Sequence, residues 1–138
     1  MIVADTSVWI PFLKDPESAE KRAIDALIDQ RRIALVGVVL AELLQGCRSP
    51  KEADALLSNL AGLRFLADSF TTWKRAGELA ASLRRKGTTL PLSDLVIAAL
   101  ALEHGCHVYT LDPHFQRIPG LSPYRAPRPA GRRPSPTT

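Results

Sequence analysis

The chain has 138 residues, of which 46% are hydrophobic, and it carries 18 basic and 14 acidic residues. This length and composition suit one globular domain with a buried core. The sequence has no run of about 18 apolar residues, and its N-terminus has no basic stretch before an apolar segment, so neither a membrane span nor a signal peptide is predicted. A cytoplasmic protein is the expectation that follows.

The net charge of +4 is located in the C-terminal segment 125–138, which is rich in proline and arginine. Four of the 18 basic residues lie there and no acid does, so the rest of the chain has 14 basic and 14 acidic residues. The segment has no large apolar side chains, and we predict a disordered tail after a folded domain over residues 1–124. The tail either attracts polyanions weakly or is an inert terminus, and the inert interpretation is favoured.

The first predicted element is a short buried strand from Ile2 to Ala4, followed by a helix from about Thr6 to Leu13. Asp5 stands between them. A carboxylate in this position is often the N-cap of the helix. It also lies where a buried strand ends, and in open α/β sheets ligands bind outside the carboxyl ends of the strands. Asp5 is therefore a candidate for chemistry as well as for capping.

The middle of the chain continues this alternation of strands and helices. The predicted elements are a helix from Pro16 to Gln30, a strand from Ile33 to Val36, a helix from Val38 to Gln45, a helix from Pro50 to Leu60, a strand from Arg64 to Leu66 and a helix from about Thr71 to Lys86. The last helix is expected to bury Trp73, Leu79, Ala80 and Leu83. Its basic residues are interpreted as a solvated face rather than an RNA track: Lys74, Arg75, Arg84, Arg85 and Lys86.

The final part of the domain predicts one more helix and one more strand. Ser93 is a candidate helix cap, Asp94 falls in the first turn, and Gly105 ends the helix after His104. A strand over 107–111 then leads into Asp112. The whole pattern predicts an α/β fold with three layers, in which a parallel sheet of four to five short strands is flanked by helices on both faces.

Four acidic residues carry the functional signal: Asp5, Glu42, Asp94 and Asp112. Asp94 is favoured at a helix N-terminus and Asp112 is a turn former, but Glu42 is the only charge within the apolar segment V-V-L-A-E-L-L. A carboxylate there is seldom tolerated unless it is paired or binds a cation. Cys47 and Cys106 fit no metal spacing. Carboxylates converging at one sheet edge suit Mg²⁺ or Mn²⁺ rather than Zn²⁺, and such a site suits phosphodiester hydrolysis.

The same residues carry a family resemblance. D-T-S after the first strand, a helix containing A-E-L-L, the segment S-D-L-V-I-A-A-L-A-L-E-H-G and the ending Y-T-L-D-P-H-F resemble the PIN-domain ribonucleases, and among them the VapC toxins of toxin-antitoxin pairs. The resemblance covers residues 1–124. It implies that Asp5, Glu42, Asp94 and Asp112 form a catalytic Mg²⁺ or Mn²⁺ site.

The resemblance carries further expectations. It implies support of the site by a hydroxyl of Thr6 or Ser7 and by Thr110, dimerisation through helices, an RNA substrate, and a VapB-type antitoxin through which operator DNA is bound. Hydrolysis would use a water activated by one or two ions, with no protein nucleophile. His114 follows Asp112 by two positions and could contact substrate or act in proton transfer, but the favoured interpretation is a merely exposed loop histidine.

Three other classes of protein share parts of this pattern. A phosphoryl-accepting receiver domain requires an acceptor Asp after a middle strand and a Lys after a later one, and neither is present at 36–38 or 111–113. An aspartate-nucleophile phosphatase would have Asp two positions after Asp5, where this chain has Ser7. A non-catalytic PIN-like module acting through antitoxin and operator DNA is the more serious alternative. The four intact carboxylates argue against it.

Overall fold

A five-stranded parallel sheet forms the middle of the domain in the computed structural model, which describes residues 1–127. The strands are β1 (Ile2–Ala4), β2 (Ile33–Val36), β3 (Arg64–Leu66), β4 (His107–Tyr109) and β5 (Ser122–Pro123). Their order across the sheet is β3-β2-β1-β4-β5, and every neighbouring pair is parallel. The α/β prediction is confirmed. Most of the segment predicted to be disordered lies outside the described residues.

Strand β1 lies at the centre of the sheet, between β2 and β4. All three of its residues are buried, and so are all four residues of β2. A parallel strand covered on both faces must be apolar throughout, which explains why these segments read as continuous hydrophobic runs. The edge strand β3 is different, because its Arg64 and Phe65 are exposed.

Six α-helices connect the strands within residues 1–127. They are α1 (Thr6–Lys14), α2 (Ala19–Asp29), α3 (Gly37–Gln45), α4 (Pro50–Leu60), α5 (Phe70–Arg85) and α6 (Leu92–His104), and a 3₁₀ helix covers Pro113–Arg117. None of these described helices has the length and apolar character needed to cross a bilayer. Helix α1 packs against α2 and α3, and α5 packs along α6.

Two predicted boundaries were wrong for reasons of local hydrogen bonding. Helix α2 begins at Ala19 rather than at Pro16, because the Ser18 hydroxyl accepts a hydrogen bond from the Lys21 amide and caps the helix. Strand β4 ends at Tyr109 and not at residue 111. The Thr110 hydroxyl makes side-chain contacts that turn the chain toward the acidic residues described below.

The buried face of α5 also differs from the prediction. Thr72, Ala76 and Leu83 are buried in this helix, whereas Trp73 is 48% exposed, so its placement in the core was wrong. The Thr72 hydroxyl donates to Glu103 Oε2 at 2.8 Å, which ties the start of α5 to the end of α6. A polar residue thus takes the inward position, where it pairs with a partly buried acceptor.

Helix α6 is the most deeply buried helix of the domain, with every residue from Leu95 to Ala101 inaccessible to solvent. It begins at Leu92 after Pro91, so Ser93 lies inside the first turn and is not the cap that was predicted. Gly105 ends it in the left-handed conformation (φ +63°). The apolar residues 95–101 are therefore covered by the chain itself and are not available to a partner subunit.

Candidate metal centre

Asp5 lies at the carboxyl end of the central strand and is only 5% exposed. Its backbone occupies the N-cap position of α1, but its side chain makes no capping hydrogen bond, so the capping interpretation was wrong. Instead Oδ1 accepts from the Ser7 hydroxyl at 2.5 Å and Oδ2 accepts from the Thr110 hydroxyl at 2.6 Å. Both carboxylate oxygens are therefore held in fixed positions by short hydrogen bonds.

The two hydroxyl groups that hold Asp5 are themselves fixed by the chain that follows β4. Ser7 Oγ accepts a hydrogen bond from the Leu111 amide at 2.9 Å, and Thr110 Oγ1 accepts one from the Asp112 amide at 2.9 Å. These contacts join the end of β1 to the end of β4. The residue order Thr110, Leu111, Asp112 thus both supports Asp5 and places the next carboxylate beside it.

Glu42 reaches the same region from helix α3. It is partly buried, and its Oε1 accepts a hydrogen bond from the Thr6 hydroxyl at 3.1 Å. Thr6 is the first residue of α1, so this bond connects the start of α1 with the middle of α3. The isolated charge noted in the apolar segment therefore has a hydrogen-bond donor.

The most compact group of ligand atoms is formed by Asp94, Asp112 and His114. One side-chain nitrogen or oxygen of each lies within 4.8 Å of those of the other two. Asp112 Oδ1 accepts from the His114 amide at 2.9 Å and lies 3.0 Å from His114 Nδ1. Within residues 1–127 the Asp94 carboxylate receives no hydrogen bond. Asp94 stands in the first turn of α6, where the helix dipole favours an acid.

Burial and neighbouring negative charges raise the pKa values of two of the carboxylates, Asp94 and Asp5. The pKa of Asp94 is raised to about 6, first by burial and then by the charges of Asp112, Asp5 and Glu42 in that order, while His114 opposes the shift. The pKa of Asp5 is also raised, mainly by burial. Hydrogen bonds from Ser7 and Thr110 act in the opposite direction on Asp5. Since Asp94 responds to the other three acids, all four carboxylates belong to one electrostatic cluster.

The structure thus distinguishes two kinds of predicted site residue. Asp94 and Asp112 share the compact group, whereas Asp5 and Glu42 border it and are each held by a hydroxyl. Closely spaced carboxylate oxygens are the donors that a hard divalent cation requires, so these residues fit such an ion. His114 was set aside from the sequence. Its position two residues after Asp112, across a tight turn, was the only signal that could have included it.

A groove of about 280 Å³ adjoins the acidic residues between α1, α3 and α4. Its apolar walls are built from Ile10, Leu13, Leu43, Ala55 and Leu56. Glu42 lies at its lining, so the groove is continuous with the acidic region. Ile10 is 43% exposed, and this part of the surface is therefore open and apolar.

The parallel sheet and the acidic cluster at its carboxyl edge define an α/β domain with a candidate site for a divalent cation. The family profile described as PIN domain matches residues 2–121, and the chain belongs to this family. The resemblance drawn from the motifs is confirmed at this level.

Relatives with known names or structures agree with this assignment. The chain is 28% identical over 130 residues to Ribonuclease VapC11 of Mycobacterium tuberculosis and to VapC ribonuclease Mb1587 of Mycobacterium bovis, covering 91% of this chain and 97% of each relative. Among solved structures, VapBC2 from Rickettsia felis bound to a promoter DNA fragment is 25% identical, with a TM-score of 0.79 over 92% of this chain and 100% of the matched chain. DNA-bound VapBC from Salmonella typhimurium gives a TM-score of 0.77 at 24% identity, over 89% of this chain and 96% of the matched chain, and shows the fold.

Proposed function

We propose that the protein is a Mg²⁺- or Mn²⁺-dependent endoribonuclease that hydrolyses RNA phosphodiester bonds, and that it is the toxin of a toxin-antitoxin pair. The single observation that carries the proposal is the electrostatic cluster of Asp5, Glu42, Asp94 and Asp112 at one edge of the sheet. Negative charges in such proximity disfavour one another, and a cation relieves that repulsion. The ribonuclease names of the relatives support the same activity.

Each residue of the cluster has a part in this mechanism. Asp94 and Asp112 would hold the ion, with Asp5 and Glu42 as the further ligands. A bound Mg²⁺ or Mn²⁺ supplies neutralisation of charge on the scissile phosphate and activation of a water. Ser7 and Thr110 keep both oxygens of Asp5 in place, and Thr6 does the same for one oxygen of Glu42. Fixed ligands matter because a misplaced donor weakens both ion binding and catalysis.

We further propose a VapB-type antitoxin as the protein partner, with operator DNA bound only through the toxin-antitoxin complex. Two of the structural relatives are VapBC complexes on DNA. On this chain, the open apolar groove beside Glu42 offers the kind of surface that an apolar segment of a partner covers. A partner seated there would also reach the acidic cluster and block substrate.

A homodimer acting in the cytoplasm completes the proposal. Its support is the apolar surface that remains on helices α3 and α5: Val38, Leu40 and Leu44 are partly exposed, Trp73 is half exposed, and Phe70 is 85% exposed. Such side chains rarely stay uncovered in a stable monomer. Light scattering at micromolar concentration should give twice the mass of the chain, and a clean monomer would contradict the dimer.

The test of activity is cleavage of total cellular RNA by the purified protein in Mg²⁺ or Mn²⁺, with and without a chelator. We expect cleavage that the chelator abolishes and that Asp94→Asn lacks, and mapping of the products would identify the target RNA. Ion-independent cleavage equal in wild type and Asp94→Asn would indicate a contaminating nuclease. No cleavage by wild type, together with operator binding by the complex, would favour the non-catalytic module instead.

A further inference from the structure

His114 lies close to two carboxylates of the acidic cluster, Asp94 and Asp112. Its ring nitrogen Nδ1 lies 3.0 Å from Asp112 Oδ1, and one of its ring nitrogens is within 4.8 Å of ligand oxygens from both Asp94 and Asp112. The backbone fixes this approach, because the His114 amide donates to the same Asp112 oxygen. His114 therefore belongs to the compact group by both its main chain and its side chain.

The imidazole ring of His114 is exposed enough to turn toward a cation and bind it. The side chain of His114 is 50% exposed and that of Asp112 is 31% exposed. An exposed ring can turn about its side-chain bonds at little energetic cost, and a neutral imidazole has one nitrogen with a free lone pair. The distances among the three side chains are those of groups that can converge on one cation.

The chemistry of the donors then bears on which ion is bound. Mg²⁺ demands oxygen ligands and keeps several waters, and it gains little from an imidazole. Divalent transition metals bind nitrogen donors better, in an order in which Mn²⁺ is the weakest member and the one that still favours carboxylates. A set of two carboxylates and one imidazole thus suits Mn²⁺ better than it suits Mg²⁺.

We propose that His114 is a nitrogen ligand of the ion held by Asp94 and Asp112, and that it gives this site a preference for Mn²⁺ over Mg²⁺. This inference rests on the proposed metal-dependent function and adds to it a ligand and an ion. The competing possibility is that His114 only donates a hydrogen bond to Asp112 and so positions that carboxylate. The two roles differ in whether nitrogen touches the ion.

The deciding measurement is pulsed EPR of Mn²⁺ bound to the full-length protein. A directly bound imidazole nitrogen gives a hyperfine coupling to the Mn²⁺ spin, and this coupling changes when the histidines carry ¹⁵N. We expect the coupling in wild type and in His107→Ala, and its loss in His114→Ala. His107 is a suitable control because it is exposed and begins β4, at the opposite end of the strand from the acidic cluster.

Calorimetric titrations of the same proteins supply the affinities. His114→Ala should weaken Mn²⁺ binding by about tenfold or more and Mg²⁺ binding by about twofold or less, in line with the loss of one ligand that mainly Mn²⁺ uses. His107→Ala should change neither. Circular dichroism melts would show that each variant is folded.

The possible failures are distinguishable. Ion-dependent RNA cleavage with no nitrogen coupling in wild type would overturn the ligand role of His114 and leave the proposed nuclease intact. Equal losses of Mn²⁺ and Mg²⁺ affinity in His114→Ala without nitrogen coupling would assign it to positioning and likewise overturn the inference. Absence of any Mn²⁺ or Mg²⁺ binding by wild type would overturn both proposals.

Discussion

The acidic cluster has a closed half and an open half, and the two are stabilised in opposite ways. In the closed half, Asp5 is buried and each of its oxygens accepts a hydroxyl hydrogen bond, from Ser7 and from Thr110. In the open half, Asp94 has no donor within residues 1–127 and faces Asp112 across a short gap. Hydrogen bonds within the protein stabilise the carboxylate of the closed half, whereas among the described residues the carboxylates of the open half have no nearby positive charge that balances them.

This difference separates a carboxylate that the protein itself stabilises from one that would need a cation. Hydroxyl donors can stabilise a buried acid without a cation, so Asp5 is positioned before any ion arrives. Asp94 has neighbouring negative charges instead of a donor, and its pKa is raised to about 6, first by burial and then by those charges. We therefore expect the metal ion to bind where Asp5 is already held in place by hydrogen bonds and where Asp94 and Asp112 still need a positive charge.

The largest expected effect is the loss of RNA cleavage when a carboxylate of either half is neutralised. Asp5→Asn and Asp94→Asn should each lower RNA cleavage by about a thousandfold or more and relieve growth arrest on expression, because each would remove the charge of a proposed ligand of the same ion. Cleavage of a labelled RNA under single-turnover conditions measures the loss. If both variants kept full toxicity, the nuclease proposal would fail.

The next effect concerns the open half and its pH dependence. The folded-state pKa of Asp94, about 6, exceeds the unfolded value of about 4, so the folded protein binds more protons between these values. Without metal, the free energy of unfolding should therefore fall as pH rises from about 4 to about 6, by roughly 2 kcal/mol from this group, and stay level above.

Neutralising the open half should remove that loss. In chelator at pH 7.5, Asp94→Asn should melt at or above the wild-type temperature, by on the order of 5 °C, yet gain less from added Mn²⁺. Thermal melts of both proteins with chelator and with Mn²⁺ measure this. A variant that is less stable in chelator but gains as much from Mn²⁺ as wild type would make Asp94 a structural residue of the helix N-terminus.

A smaller effect tests the closed half. Thr110→Val removes a hydroxyl that lowers the pKa of Asp5, so the pKa should rise further and the metal-free protein should lose about 1 to 2 kcal/mol at pH 7.5. The loss should shrink as pH falls through the raised pKa of Asp5, because the protonated carboxyl no longer depends on this donor. Thr110→Ser keeps the donor and should restore stability in urea unfolding experiments. Equal stability of the Val and Ser variants would show that the hydroxyl does not support Asp5.

The smallest effect concerns a part of the chain outside both halves. Deleting residues 125–138 removes four arginines, which should weaken RNA binding modestly and flatten its salt dependence without moving the cleavage site. Binding titrations at several salt concentrations and mapping of the cleaved RNA measure these outcomes. A changed cleavage site would show that the tail takes part in choosing the substrate.

The sheet and the place of Asp5 at a strand end were predicted well because both follow from local patterns, whereas support of Asp5 by Ser7 and Thr110 was expected only from the family resemblance. Continuous apolar runs indicate β1 and β2, and the D-T-S motif places a carboxylate at a strand end. Sequence patterns could not predict which residues of a helix face inward where a hydrogen bond between distant polar side chains determines the buried face. Thr72 is buried and its hydroxyl meets Glu103, 31 residues away, whereas Trp73 is 48% exposed; no local pattern encodes the contact with Glu103.

The same limit explains His114 and Ser93. The position of His114 depends on how the turn after Asp112 folds against α6, which spacing alone does not reveal. Ser93 has a typical capping side chain, yet the turn at Pro91 starts the helix one residue before it. Packing against a distant helix decided the first case, and the neighbouring Pro91 decided the second.

The central place of β1 in the sheet has a consequence for when the protein can become active. Strand β1 leaves the ribosome early, but its neighbour β4 and the Thr110 partner of Asp5 follow about a hundred positions later, with 105 residues separating the two side chains. Contacts between such distant segments form late in folding. A nascent or prematurely released chain that lacks β4 also lacks Asp112 and the Thr110 donor to Asp5, so we expect the proposed ribonuclease activity only after nearly the whole domain has been made.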